Sequence, residues 1–252
     1  MYKIPANTLF MGKNLVYVPE CHSTNTLGSE LCQRAATAEG TTIITDNQTM
    51  GRGQRGNSWH SDPYKNLTFS LVLKPTFLKP IDQFNLTVTI SLALRDFLTH
   101  RIPGEVKIKW PNDILVNDKK LCGILIENTL SGDAIQCSVV GIGLNVNQDS
   151  FSMESASSMK VVAGHDFNLP DELSLLFEFL ERRYLQLRSG KQTDLRNDYL
   201  SSLYGIGEER RFLVGTREMI GMIEGFNQQG KLLVATGGDI KSYDLKEIRF
   251  IG

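Results

Sequence analysis

Most of the features by which a sequence announces its chemistry are missing from this chain. It has four cysteines, Cys21, Cys32, Cys122 and Cys137. None stands at metal-ligand spacing, which excludes a cysteine-built zinc site and predicts reduced thiols of a cytoplasmic protein. Charge of one sign is also scarce: 27 Lys and Arg against 28 Asp and Glu leave a formal net charge of −1. That balance argues against broad, sequence-blind binding to nucleic acid. No apolar run is long enough to span a bilayer and no stretch resembles a signal peptide, so no membrane partner is expected. A Gly-x-Ser-x-Gly elbow, a His-Glu-x-x-His helix and a carboxylate pair are absent, and His22, His60, His100 and His165 are scattered. There is no internal repeat. Hydrolytic and metal-ligand signatures are thereby set aside.

Glycine, in contrast, is concentrated in one place. Gly51-Arg52-Gly53-Gln54-Arg55-Gly56-Asn57-Ser58-Trp59 interleaves glycines with two arginines and ends on a tryptophan. The glycines permit close backbone approach to a ligand, the arginines offer fork-shaped donors to carboxylate or phosphate, and the indole can cover an apolar surface. The spacing satisfies Gly-x-Gly-x-x-Gly, but a dinucleotide fingerprint needs a helix opening at the last glycine. Here Asn57 to Pro63 follow, then a strand alternation. A phosphate-binding P-loop fails as well, because Asn57-Ser58 stands where Lys-Ser or Lys-Thr is required.

Along the chain, Cys21 to Asn25 suits a helix cap, and Leu27, Leu31 and Ala35 recur at four-residue spacing with Gly40 as a stop. Thr41 to Thr45 reads as a strand, and Leu67 to Lys74 as an inner strand apolar on both faces. Leu86 to Leu98 has helical spacing. Strands follow over Val106 to Trp110, Cys122 to Glu127 and Ile135 to Val146, and residues 147–168 read as a polar surface excursion. Leu173 to Leu187 is an amphipathic helix with Pro170 near its start, and a weaker helix covers about Asp194 to Leu203. From Gly207 onward short β-like runs alternate with Gly-rich turns. The expectation is an α/β or α+β body over 1–205 and a small all-β module of SH3 size over 206–252.

Three further clusters carry polar groups. Lys109-Trp110-Pro111-Asn112-Asp113 ends a short strand; Asp113 suits Mg2+ and Lys109 suits phosphate, while a capped turn with a solvated lysine fits the spacing alone slightly better. Lys119-Lys120-Leu121-Cys122-Gly123 sets a basic pair at the mouth of an apolar strand. Gly141 to Asn147 reads either as room for a planar ligand with Asn145 on a purine edge, or as a bulged strand. Donors and cations without a nucleophile suit a reaction whose nucleophile arrives on a substrate, such as a carboxylate attacking the α-phosphate of ATP.

These blocks, in order, resemble the biotin–protein ligases. The resemblance rests on Ser23-Thr24-Asn25, Gln48 with the loop to Gly56, Trp59, Lys109 to Asp113, Lys120 to Glu127 and Gly143-Leu144-Asn145, and spans nearly the whole chain. It implies an α+β catalytic domain related to class II aminoacyl-tRNA synthetases, with a mixed sheet and flanking helices, followed by an SH3-like β-barrel. It implies formation of biotinyl-5'-AMP from biotin and MgATP, then transfer of biotin to a lysine of a biotin carboxyl carrier domain. Lys120, Arg52 and Arg55 would be catalytic. Ser23, Thr24, Asn25, Gln48, Gly51, Arg52, Gly53, Lys120, Gly123 and Ile124 would hold biotin. Arg52, Gln54, Arg55, Trp59, Lys109, Asn112, Asp113, Lys120 and Asn145 would serve the nucleotide, with Asp113 toward Mg2+. No prosthetic group is implied.

Gln54 departs from the family pattern, which carries arginine there and uses it to retain the intermediate; a neutral amide supplies no such charge. About twenty residues precede the first block, too few for the DNA-binding domain of some relatives, so a monofunctional ligase, monomeric or weakly dimeric, is expected. A lipoate ligase, or a sensor that binds without catalysing, are the competing readings.

Overall fold

The computed structural model describes residues 2–34 and 36–251, without the side chain of Arg55. Seven strands form the main sheet: β1 (Leu15–Cys21), β2 (Thr41–Gln48), β3 (Leu67–Leu73), β4 (Val106–Lys109), β5 (Asp113–Val116), β6 (Lys119–Ser131) and β7 (Ala134–Leu144). Their order is β1-β2-β3-β7-β6-β5-β4. β1 and β2 run parallel, and the other neighbours are antiparallel. The sheet is therefore mixed.

The apolar run of β3 finds its explanation in cover on both faces. Leu67, Phe69, Leu71 and Leu73 join the core with helices α2 (Phe84–Arg101) and α4 (Leu169–Arg188). The alternate residue Val72, with Ile43 and Cys137, packs against Leu27 and Leu31 of α1 (Thr24–Cys32). Successive side chains of a strand point to opposite faces, so such a strand needs no polar side. Helix α4 starts where Asn168 accepts a hydrogen bond from the Asp171 amide at 3.2 Å, with Pro170 in the first turn. Its stripe Leu173, Leu176, Phe177, Leu180, Tyr184 and Leu187 is buried. Arg101 clamps α2 to α4 through two hydrogen bonds to Glu172, at 2.8 and 2.6 Å. No described helix is long and apolar enough to cross a membrane.

After α5 (Gln192–Ser201), a second sheet comprises β8 (Glu209–Val214), β9 (Arg217–Phe226), β10 (Leu232–Thr236), β11 (Asp239–Tyr243) and β12 (Ile248–Phe250). Its order is β11-β10-β9-β8-β12, so β11 and β12 are opposite edges and the expected closed barrel is not formed. The physical reason is where the apolar face goes. Phe212, Ile223, Leu232, Val234 and Ile248 belong to the same core as the main sheet and its helices. Burial against the body replaces burial by closure. The polar strand β11, four of its five residues exposed, has no apolar alternation to mark it in sequence.

Three local expectations change as well. Cys32 and Cys137 form a disulfide, with Cα atoms 6.0 Å apart and a sequence separation of 105. Packing of α1 on β7 brings them together, so no local spacing could reveal the pair; Cys21 and Cys122 are free thiols. The segment 147–168 is not merely a surface excursion. Ser157, Ser158 and Met159 are buried, and α3 (Met159–Ala163) begins where Ser158 accepts from the Val161 amide at 3.2 Å. Hydrogen bonds from serine and asparagine side chains to backbone let this polar stretch pack inward. Helix α1 ends at Cys32, three residues short of Ala35, which lies outside the described residues.

Candidate active site

A cavity of about 400 Å3 opens where the C-terminal ends of β2 and β4, the start of α1, the glycine loop, β6 and β7 converge. Ser23, Thr24, Asn25 and Gln48 line it at one end, and Lys109, Asn112, Asp113 and Lys120 at the other. The loop lies across it with Arg52, Gly53, Gln54 and Trp59, above Gly123 and Ile124. The tertiary fold thus collects residues from Ser23 to Phe250, far apart in sequence.

The glycine loop is a narrow hairpin. Trp59 donates its amide to the Gly51 carbonyl at 2.9 Å, Arg52 and Ser58 form a bridge, and Gly53 donates to the Asn57 carbonyl at 2.7 Å. A single 3-10 turn, Gln54–Gly56, makes the tip. Trp59 turns inward over Gly123 and Gly143, which face each other on β6 and β7. A Cβ at Gly143 would overlap the indole and one at Gly123 would stand 3.1 Å from it, so only glycine makes this seat. The indole Nε1 and the Gln54 Oε1 are buried without a hydrogen-bond partner among the described residues.

At the cationic end Lys120 Nζ lies 2.7 Å from Asp113 Oδ1 and 5.6 Å from the centre of the Trp59 ring. Lys109 stands over the Phe250 ring at 5.1 Å. Burial lowers its pKa below the ordinary lysine range and neighbouring Lys120 acts in the same direction, with Asp113 opposing. Asn112 exchanges backbone and side-chain hydrogen bonds with Ile124, so its amide braces the cavity wall.

At the other end, the Gln48 side-chain Oε1 accepts from the Thr24 backbone amide at 2.9 Å. Ser70 Oγ lies 2.7 Å from Thr24 Oγ1 and 2.6 Å from Asn25 Oδ1. Asn25 donates to Glu127 Oε2 at 2.8 Å, and the same oxygen accepts from Arg52 at 2.9 Å. Asn25 sits where a side chain on Gly141 would be, so that glycine is steric too.

Two residues singled out in sequence stand apart from the cavity lining. Gly51 is packed under the Trp59 carbonyl. Asn145 is buried, donating to the Ser157 carbonyl at 3.0 Å, with its Oδ1 unpartnered among the described residues. The side chain of Arg55 is outside the described part. Conversely, sequence reasoning gave no role to Ser70, Glu127 or the C-terminal Leu245, Ile248, Arg249 and Phe250, the last four of which line the cavity. The two hydroxyls Thr68 and Ser70 in a mostly apolar strand were a usable signal. The C-terminal residues carried none, because their approach depends on how the second sheet docks.

The model of the biotin/lipoate A/B protein ligase family matches residues 17–145. The chain is 31% identical over 240 residues to the bifunctional ligase/repressor BirA of Bacillus subtilis, covering 93% of this chain and 73% of that protein. It is 31% identical over 237 residues to the biotin–[acetyl-CoA-carboxylase] ligase of Mycobacterium tuberculosis, covering 90% and 85%. Among solved structures, the biotin protein ligase of Aquifex aeolicus in complex with biotin and ATP matches with a TM-score of 0.74 at 29% identity, over 95% of this chain and 100% of that one. The fold is that of a ligase. The chain belongs to the biotin/lipoate A/B protein ligase family. Its likeness over nearly its whole length is to the biotin–protein ligases of that family.

Proposed function

We infer that the chain is an ATP-dependent biotin–protein ligase, which activates biotin and transfers it to a carrier protein. The observation that carries the reading is the convergence of the Lys120–Asp113 pair and the Arg52 loop on one cavity, in a chain similar to a ligase whose structure holds biotin and ATP. In the first step a biotin carboxylate oxygen attacks the α-phosphorus of ATP and the bond to pyrophosphate breaks, giving biotinyl-5'-AMP. In the second, a carrier lysine that has given one proton to solvent attacks the acyl carbon as the neutral amine; AMP leaves with the electrons of the broken anhydride bond, the nitrogen releases a second proton to solvent, and an amide remains.

The protein's part is position and charge. Lys120 places a cation between carboxylate and α-phosphate, and its partner Asp113 fixes where that cation stands. Arg52 adds a second cation at the rim, and Lys109 serves the triphosphate. Ser23, Thr24 and Gln48 offer the polar groups suited to the biotin head group, and Trp59 covers the site from water. Asp113 is the one carboxylate in the cavity lining among the described residues. One carboxylate with phosphate oxygens and water is a donor set Mg2+ accepts, so the residues fit an ion arriving with ATP, where it neutralises phosphate charge. The carrier is a biotin carboxyl carrier domain, chosen by the chemistry of its exposed lysine.

Incubation of the protein with MgATP and either biotin or lipoate, reading pyrophosphate and acyl-adenylate by mass, tests the proposal. Adenylate from biotin is expected. Adenylate from lipoate alone, or from neither acid, overturns it.

A further inference from the structure

We propose that Glu127 is a positioning residue of the ligase reaction, holding Arg52 in the orientation that meets the substrate anion. The inference rests on the biotin–protein ligase reading and deepens it. Alternation along β6 puts Gly123, Leu125 and Glu127 on one face of the strand. Gly123 and Leu125 line the cavity, so Glu127 continues that row to its rim. One oxygen, Oε2, accepts both from Arg52 NH2 at 2.9 Å and from Asn25 Nδ2 at 2.8 Å.

Asn25 is in turn anchored. Its amide lies 3.3 Å from the Leu125 carbonyl, and its Oδ1 lies 2.6 Å from the hydroxyl of Ser70, a buried residue of the inner strand β3. A chain of hydrogen bonds therefore runs Ser70–Asn25–Glu127–Arg52, from the fully packed interior to the cation of a narrow loop. Without it, Arg52 would depend on the rotamers of a long side chain that is 47% exposed. An ion pair so exposed contributes little to folding. Its consequence is orientation: the guanidinium is held through one nitrogen, and its other N–H groups have no partner among the described residues. Those groups are left for the carboxylate or α-phosphate of the substrate, and their direction is set before the substrate arrives.

The test is steady-state adenylation by wild type, Glu127→Ala, Glu127→Gln, Arg52→Ala and the Glu127→Ala/Arg52→Ala double variant, with melting temperatures as a control on folding. Glu127→Ala is expected to raise KM for biotin about tenfold, the loss of one charge-assisted contact, with kcat within about threefold of wild type. Glu127→Gln keeps an oxygen acceptor of the same reach and is expected to recover most of the loss. In the Arg52→Ala background, removal of Glu127 should add less than about twofold, because a residue acting through another has nothing left to position. An unchanged or lowered KM, or a full additional effect in the double variant, overturns the proposal; a lowered KM would mean that Glu127 withholds Arg52 from the ligand. If Glu127→Ala does not fold, Glu127→Met, which keeps the length but removes the acceptor, takes its place: a KM raised toward that of Arg52→Ala supports the proposal, and a wild-type KM in either variant overturns it. Wild type that makes no biotinyl-adenylate removes the functional reading itself, whereas active wild type with an indifferent Glu127 removes only this inference.

Discussion

Lys120 and Lys109 show how two lysines in one cavity acquire different chemistry. Lys120 is paired at 2.7 Å with Asp113 and keeps a partner for its charge. Replacement by alanine leaves both neighbours partly solvated, so the fold should survive while adenylation falls by about 10² to 10³, the usual cost of removing one preorganised donor to a developing charge. Pyrophosphate release by folded Lys120→Ala protein measures this, and near-normal turnover would remove Lys120 from the mechanism. Lys109 is partly buried, and burial lowers its pKa. A lysine with a lowered pKa gives up its proton at a lower pH than a solvated one, so the charge serving the triphosphate is present at low pH and lost as pH rises. The kcat/KM for ATP is therefore expected to fall on the alkaline side before ordinary lysines titrate. Lys109→Arg should move that limb to higher pH, since a guanidinium does not titrate there. An identical limb in the variant would assign it to another group.

At the scale of elements, α1 is held at both ends by different means. Its start, Thr24 and Asn25, is tied by hydrogen bonds to Gln48, Ser70 and Glu127, and its last residue is joined to β7 by the Cys32–Cys137 disulfide. The bond closes a loop of 105 residues. Chain entropy then suggests about 4 to 5 kcal/mol of stabilisation, or a fall in Tm of about ten degrees on reduction for a chain of this size. Scanning calorimetry with and without dithiothreitol, and of Cys32→Ser, measures it. KM for biotin should hold, because the cavity end of the helix keeps its own anchors. An unchanged Tm would show that the two thiols do not pair in solution.

For the whole molecule, the second sheet is part of the cavity rather than an appendage. Trp110 donates to the Gly230 carbonyl at 2.9 Å and Arg196 to the Asn227 carbonyl at 2.7 Å, while Phe84, Tyr199 and Phe226 pack edge to face or tilted between the two parts. That docking carries β12 to the site and presents Arg249, a lining cation with no ion pair among the described residues. Arg249→Ala is expected to raise KM for ATP about tenfold, the loss of roughly one charge-assisted hydrogen bond. An unchanged KM would leave β12 as a wall only.

Much was determined by the sequence alone, and for a local reason. Periodicity marked β3, α2 and α4, because burial on a given face repeats every second residue in a strand and every three or four in a helix. The glycine loop, Lys109 to Asp113, and Lys120 were legible because their residue types have little reason to cluster in a plain core. The tertiary structure decided what depends on separation in sequence. It paired Cys32 with Cys137, turned Asn145 away from the cavity lining, and joined Ser70 to Arg52 through Asn25 and Glu127. It also left the second sheet open, since its apolar face is buried in the main core rather than against itself. Each of these depends on which surfaces pack together, and no window along the chain contains both partners.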